Sequence, residues 1–573
     1  QLQRGKQLQR GKQLQRGKQL QRGKQLQRGK SELFNEFMSK STQSFMNNLE
    51  SHFDIACSEI TQNLLTITKP DKKQVKDEIK KICAKYSLKR IPRNHEILSM
   101  AKETDFDKLR KILLKKPTKT ASGVSIVALM PKPYACPHGR CTYCPGGIEY
   151  NSPNSYTGKE PSTLNAIENE YDPKLQITAN IKKLIAYGHD PSKMEIVIVG
   201  GTFLFMPKDY QENFIKLCYD ALNKTDSKNL QEAKSKNEHS SIRNVGFTVE
   251  TKPDYCKKEH VDLMLNYGIT RIEIGVQSLQ ERVYKITNRG HTYNDVTESF
   301  QISKDAGYKI VAHMMPGLPT MTPEGDIEDF KKLFSNPQLR PDMLKIYPSL
   351  VIENTPLYEE YKQGQYTPYS DEDMIKVLTE VKKDIPKWVR IMRVQREISS
   401  EEIIAGPKSG NLRQIVHQNL ARQNLSCKCI RCREIGRSNK EIDKQEVKLN
   451  RINYDSSGGK EVFLSYEDKN DSIYGFLRLR KPSTDAHRDE IDEKTCIVRE
   501  VHVYGKSLKL GEKEKEEIQH TGLGKNLMRE AEKISREEFD AKRILVISAV
   551  GTREYYQKIG YSLYGPYMSK LLN

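Results

Sequence analysis

Six of the eleven cysteines fall into two tight groups, Cys136-Cys141-Cys144 and Cys427-Cys429-Cys432; the other five are scattered. Thiols so closely spaced in a long chain point to metal or iron–sulfur ligation rather than to a disulfide framework. The first group reads Cys136-Pro-His-Gly-Arg-Cys141-Thr-Tyr-Cys144-Pro-Gly-Gly. Three thiolates with no fourth nearby leave one iron of a four-iron cluster open to a non-protein ligand. A structural zinc is the other reading, with His138 as fourth ligand. The second group, Cys427-Lys-Cys429-Ile-Arg-Cys432, has the short spacing of a tetrahedral zinc knot, with His417 as the local candidate for its fourth position. A third signal is Gln519-His-Thr-Gly522-Leu523-Gly524-Lys525 ahead of a helical stretch, Asn526 to Glu537. Such a turn offers unpaired backbone N–H groups and the positive end of a helix dipole, which suits a pyrophosphate.

The surrounding elements predict how these groups are held. Short apolar runs recur at Val124–Met130, Ile196–Val199, Gly246–Val249, Ile272–Val276, Ile310–Met315 and Met343–Ile346, with amphipathic helical stretches between most of them. That rhythm predicts an α/β fold whose parallel sheet is wrapped by helices, open or barrel-like. Gly200-Gly201-Thr202, Gly275-Val-Gln277-Ser and His313-Met-Met-Pro-Gly-Leu-Pro close three of the runs, at the strand ends where parallel barrels carry their chemistry. Residues 446–573 have their own strands at Val462–Tyr466, Tyr474–Leu479, Ile497–Tyr504 and Ile544–Ala549. Five segments follow: a repetitive basic tail over 1–30, read as disordered; a helical basic region over 31–115; a core α/β domain over 116–398; a metal-binding connector over 399–445; and a compact α/β domain over 446–573. The charged stretch Asn223 to Ser241 reads as a surface insertion.

The core motifs resemble the radical S-adenosylmethionine (SAM) superfamily. Pro117-Thr-Lys-Thr-Ala-Ser-Gly-Val124, Ser155-Tyr-Thr-Gly, Glu250-Thr-Lys-Pro-Asp-Tyr-Cys256 and Lys345-Ile-Tyr-Pro348 extend the likeness to the Elongator catalytic subunit family. The last domain resembles the GNAT acetyltransferase fold. The family implies a radical SAM partial (β/α) barrel joined to a GNAT-type domain. It implies that Cys136, Cys141 and Cys144 bind a 4Fe-4S cluster whose open iron chelates SAM, with Gly200, Gly201, Thr202 and Gln277 at the SAM site. Val501, His502, Val503, Gln519, Gly522, Leu523, Gly524 and Lys525 would then bind acetyl-CoA, with Tyr555 or Tyr556 beside the thioester. Lys345 and Tyr347 would line the passage between the two sites, and Cys427, Cys429 and Cys432 would hold zinc. The implied reaction is carboxymethylation at carbon 5 of the wobble uridine in a tRNA anticodon, the SAM-derived radical acting on the acetyl methyl group.

Charge is compatible with that substrate. The chain carries 95 basic and 75 acidic residues, a formal +20. The five QLQRGK repeats of residues 1–30 supply ten of those cations and no acid. Lys72, Lys73, Lys76, Lys80, Lys81, Lys85, Lys89 and Arg90 are interleaved with the stripe Val75, Ile79 and Ile82, and Arg413, Arg422, Lys428, Arg431 and Arg433 crowd the second cysteine group. Both read as phosphate-binding faces or as plain solvated surface. The expected partner is the tRNA anticodon stem-loop, with room for a homodimer and for accessory Elongator-type subunits. No apolar run reaches the length of a membrane span, so a soluble, cytoplasmic protein is expected. The competing function is an ordinary lysine acetyltransferase with Glu500 or a water as base, which leaves the cysteine-bearing half without a purpose.

Overall fold

The computed structural model describes residues 40–68, 70–114, 123–435, 447–504 and 522–573. The repeats of 1–30, the stretch 115–122 and Gln519 lie outside them. The chain divides into two compact units, residues 1–115 with 185–189, and the remainder. In the first unit, helices Lys40–Thr66, Lys72–Lys85, Asn94–Ser99 and Glu103–Leu113 pack around Ala56, Ile60, Leu64, Ile82, Leu98 and Leu109. Asp71 caps the second helix by accepting from the Lys73 and Gln74 amides. Val75, Ile79 and Ile82 bury its apolar stripe, each contributing about 1.5–3 kcal/mol. Lys72, Lys73, Lys76 and Lys80 stay exposed. Lys85 and Arg90 are also exposed but form ion pairs with Glu59 and Glu96, at 2.7 and 2.8 Å.

The second unit holds two seven-stranded sheets. The first contains β1 (Ser125–Leu129), β2 (Lys193–Ile198), β3 (Arg243–Thr251), β4 (Arg271–Gln277), β5 (Lys309–Met314), β6 (Met343–Ile346) and, past the short β7 (Val351–Ile352), β8 (Arg390–Arg393). Its order β1-β2-β3-β4-β5-β6-β8 is parallel throughout. β7 pairs separately with β9 (Ile403–Ala405). Parallel strands need crossovers, and the intervening helices supply them. The result is the open parallel barrel that the alternation of apolar runs predicts.

The second sheet contains β10 (Lys448–Ser456), β11 (Gly459–Glu467), β12 (Ile473–Lys481), β13 (Thr495–Val503), β14 (Arg543–Val546), β15 (Ser562–Tyr564) and β16 (Tyr567–Leu571). Its order is β10-β11-β12-β13-β14-β16-β15, antiparallel except for the β13–β14 pair. That pair ends at Val498↔Val546, with the Ile547 amide donating to Val498 O at 3.3 Å. β14 ends there while β13 runs on to Val503, so the two strands part and leave a notch.

Three buried arginines join the sheets. Arg480 pairs with Asp305 at 2.6 Å and with Glu461 at 3.0 Å. Arg499 makes two bonds to the Asp342 carboxylate, at 2.7 and 2.6 Å, and two to Glu461, at 3.2 and 2.8 Å. Arg478 donates to Glu500 at 2.9 Å. Asp305 and Asp342 belong to the first half of this unit, so the charges pair across the seam. Asn223 to Ser241 is not a loose insertion: Leu230–Asn237 is helical, Leu230 and Ala233 join the main core, and Glu238 pairs with Arg553 at 2.8 Å. Its charges face outward or find partners, which hid the two core positions in a polar sequence.

Candidate active site

The cysteine loop follows β1 and is clamped by its own backbone. The Thr142 amide donates to Thr287 O at 3.1 Å, the Leu357 amide to Thr142 O at 2.9 Å, and Arg140 Nε to Cys144 O at 3.0 Å. Gly146 must be glycine, because a Cβ there would meet Pro153 O at 2.2 Å. Cys141 and Cys144 pack against Met315, Leu318 and Met321 of the loop after β5. All three cysteines line one cleft with Gly201, Thr202, Gln277 and Arg289. Gly200 and Gly201 both have positive φ, and the Gly200 amide donates to Glu250 at 3.4 Å. Gln277, at φ 71°, turns into the cleft with its Oε1 buried and unpaired. Burial, with Cys144 and Cys141 nearby, pushes the Cys136 thiol up to about 11, so metal ligation there has to expel a proton.

The zinc alternative for this loop fits poorly. Among the described residues, Cys136, Cys141 and Cys144 are not a set whose ligand atoms all lie within 4.8 Å of one another, as a single ion requires. His138 places Nε2 3.1 Å from Cys141 Sγ, but its Nδ1 meets Lys252 Nζ at 2.9 Å. Three sulfurs spread around a cleft suit a polynuclear cluster with one open corner.

Behind the cleft, Glu273 accepts from His313 Nε2 at 2.8 Å and from Lys345, while Glu250 lies 3.9 Å from the same ammonium. Glu273 and Glu250 raise the Lys345 pKa against the opposing effect of burial, so this lysine stays charged. Tyr347 stands edge-on to the His313 ring at 5.3 Å. A chamber of about 810 Å³ continues from here to the notch in the second sheet. Tyr156, Glu250, Glu273, Tyr347 and Arg393 line both it and the cysteine cleft. Its far end is lined by Glu500, Val501, His502, Ile547, Ser548 and Tyr556.

Beside the notch, Gly522 (φ 84°) caps the helix Leu523–Glu537, placing Leu523, Gly524 and Lys525 in the first turn. A Cβ on Gly524 would lie 3.1 Å from the Tyr555 hydroxyl and 3.6 Å from Val503. The two tyrosines therefore divide: Tyr555 sits over the turn, 38% exposed, and Tyr556 is buried in the chamber wall.

One supporting group escaped the sequence reading. Asp326 holds the loop after β5, accepting from the Gly317 amide at 2.8 Å and the Tyr369 hydroxyl at 2.7 Å. Burial outweighs those bonds and pushes its carboxyl up to about 7. A carboxyl raised on folding loses stability as pH climbs from about 4, its unfolded value, toward 7. Asp326→Asn is expected to remove that slope from urea midpoints measured between pH 4 and 8.

The second cysteine group does converge: Cys427, Cys429 and Cys432 lie mutually within 4.8 Å. His417 Nε2 is 3.6 Å from Cys432 Sγ, but it is outside that mutually close set. The connector is better packed than its sequence suggests, since Leu412, Val416, Leu420 and Cys429 join the main core. Arg433 is withdrawn from the basic face altogether, buried against Glu467 at 2.8 Å.

Known proteins match along most of this chain. Residues 130–334 match the radical SAM superfamily, 341–422 the radical SAM C-terminal domain, and 53–121 the ELP3 N-terminal domain. The tRNA uridine(34) acetyltransferase of Methanocaldococcus infernus is 46% identical over 513 residues, 88% of this chain and 96% of that protein. Elongator complex protein 3 of Homo sapiens is 45% identical over 504 residues, 86% and 92% of the respective chains. The solved structure of archaeal Methanocaldococcus infernus Elp3 with an N-terminal deletion (1-46) superposes with a TM-score of 0.70 at 41% identity, covering 79% of this chain and 100% of that one.

Proposed function

Because the chain belongs to the Elongator complex protein 3 family, we propose that it is a radical SAM, acetyl-CoA-dependent acyltransferase that modifies the wobble uridine of tRNA. The observation that carries this reading is the chamber whose walls are shared with the cysteine cleft and which reaches the notch of the second sheet. An acyl group activated at one end has to be reached from the other, and this space provides the route.

Cys136, Cys141 and Cys144 would hold a 4Fe-4S cluster, which when bound supplies the electron that cleaves SAM. Gly200, Gly201, Thr202 and Gln277 offer backbone and amide groups to SAM. The turn at Gly522, Leu523, Gly524 and Lys525 offers N–H groups and a cation to the pyrophosphate of acetyl-CoA. Val501, His502 and Val503 edge the path of its acyl arm, and Tyr555 and Tyr556 flank its thioester. Lys345, held charged by Glu273 and Glu250, acts as a fixed cation that orients a carbonyl, not as a base. The uridine has to leave its stack to reach the chamber. Lys72, Lys73, Lys76 and Lys80 suit phosphates of the anticodon stem-loop, contacts that position without reading sequence. A cytoplasmic setting agrees with a tRNA substrate, and no described helix is long and apolar enough to cross a membrane.

The lysine acetyltransferase reading fares worse. Glu500, its expected base, accepts from Arg478 Nε at 2.9 Å, and Arg478 and Lys309 hold its carboxyl below the usual range against burial. That makes it a weak acceptor for an amine proton. The test is anaerobic: protein reconstituted with iron and sulfide, reductant, SAM, acetyl-CoA and unmodified tRNA, followed by weighing of the digested nucleosides. A carboxymethyl-sized gain on uridine supports the proposal. Acetylated lysine with unmodified RNA overturns it.

Cys427, Cys429 and Cys432 would hold zinc, which stiffens the connector rather than taking part in catalysis. Cys429→Ser is expected to lose one zinc per chain by elemental analysis while iron loading is retained. Zinc content unchanged in that variant would remove the assignment.

A further inference from the structure

Two polar atoms in the notch are buried without partners: His502 Nε2 on β13 and Ser548 Oγ just beyond β14. Both residues line the chamber where the strands part. An unpaired buried polar atom costs about 1–3 kcal/mol, so a pair of them at one place marks a position built for a polar ligand. The His502 ring is fixed, stacked on Phe476 at 6.0 Å and 18° and tilted against Tyr504 at 4.5 Å.

The groups around the imidazole narrow its role. Glu500 and Tyr504 face it from its own strand, Arg390 from β8, Glu434 from beyond the second cysteine group, and Glu195 from β2. Glu500 is neutralised by Arg478, and Glu434 pairs with Arg390 at 2.6 Å. Glu195 is bonded to Arg271. Tyr504 accepts from Arg390 at 2.8 Å, and burial pushes both it and Tyr556 well above the ordinary phenol range. Each carboxylate is committed to an arginine, and each phenol stays protonated, so neither kind of group is placed to take a proton. Burial, reinforced by Arg390, holds His502 below its usual value against Glu500 and Glu434, so it is neutral and able to accept a proton near pH 7.

We propose that His502 is the proton-transfer residue for thioester cleavage in this enzyme, with Ser548 hydrogen-bonding the thioester oxygen or the attacking water. This rests on the acetyl-CoA reading of the notch. The water oxygen bonds to the thioester carbonyl carbon, and the carbon–sulfur bond breaks with its electron pair going to sulfur. His502 Nε2 takes one water proton and returns it to the departing sulfur. The products are CoA thiol and a carboxylate whose own proton goes to solvent; nothing is oxidised or reduced.

The experiment uses the full chain, acetyl-CoA and unmodified tRNA, following CoA release by chromatography and acetyl-CoA affinity by calorimetry. Wild type is expected to release CoA faster as pH rises through the lowered imidazole titration, then level off. His502→Gln should still bind acetyl-CoA measurably, release CoA from saturated enzyme about 100-fold more slowly or worse, and lose the pH limb. Ser548→Ala should show a smaller fall with the limb kept. Imidazole added to His502→Ala should restore part of the rate, a rescue that a structural role would not give. If His502→Gln binds acetyl-CoA and keeps both the wild-type rate and pH profile, this proposal is overturned while the function stands. If wild type itself does not bind acetyl-CoA, both fall.

Discussion

Cys141→Ser is expected to bring uridine modification and deoxyadenosine formation to background while leaving acetyl-CoA binding at wild-type strength. Cys141 is the central thiol of its loop, buried against Met315 and Leu318, with Arg289 3.7 Å from its sulfur. Serine keeps the size and the loop bonds but replaces a soft thiolate with a hard, poorly ionised hydroxyl. The notch and helix turn that would receive acetyl-CoA contain none of these residues, so calorimetry should register no change there. Retained deoxyadenosine formation in this variant, with its iron content confirmed, would mean the cleft is not the radical site.

The largest stability effect should come from Asp342. Its carboxylate is fully buried, receives both arms of Arg499 and faces Arg478 at 3.6 Å. Asp342→Asn leaves those guanidinium groups with one anion too few in a dry seam, a loss of about 3–5 kcal/mol in systems of this kind. Replacing both partners, as Asp342→Leu with Arg499→Met, should recover part of that loss, because neither charge then remains buried alone. Urea unfolding of Asp342→Asn, Asp342→Leu, Arg499→Met and the double variant checks this, and additive losses in the double variant would count against the coupling. The acid limb follows the same logic. Arg499, Lys304 and Arg478 depress the Asp342 pKa in the folded protein against burial. Its stabilisation is therefore present above the unfolded value of about 4 and is lost as pH falls below it. The asparagine variant should lack this contribution.

The strands of the barrel were legible because buried parallel strands read as continuous apolar runs; β1 to β6 all coincide with such runs. β8 was not, since Arg390-Ile-Met-Arg393 has only two apolar residues between flanking arginines, and both arginines line the chamber. The cysteine loop, the glycine turn and the two tyrosines were visible because their chemistry depends on residue type at short spacing. The seam was invisible for the opposite reason. Arg478, Arg480 and Arg499 sit in strands where arginine reads as an outward-facing residue, and their aspartate partners across the seam, Asp342 and Asp305, lie more than 100 positions away. His502 and Ser548 likewise carry no local pattern; their meaning appears only where β13 and β14 separate.

The arginine seam has a consequence for how the two ends of the chamber communicate. Guanidinium–carboxylate pairs at fixed, two-armed geometry resist sliding, because any shear trades bonded charge for bare charge in a medium that cannot solvate it. The sheets are thereby locked as one frame, with the distance between cysteine cleft and notch set at folding. Travel between them is then left to what occupies the chamber: a group carried on a flexible tether can swing inside a still housing, whereas the housing itself cannot close the gap.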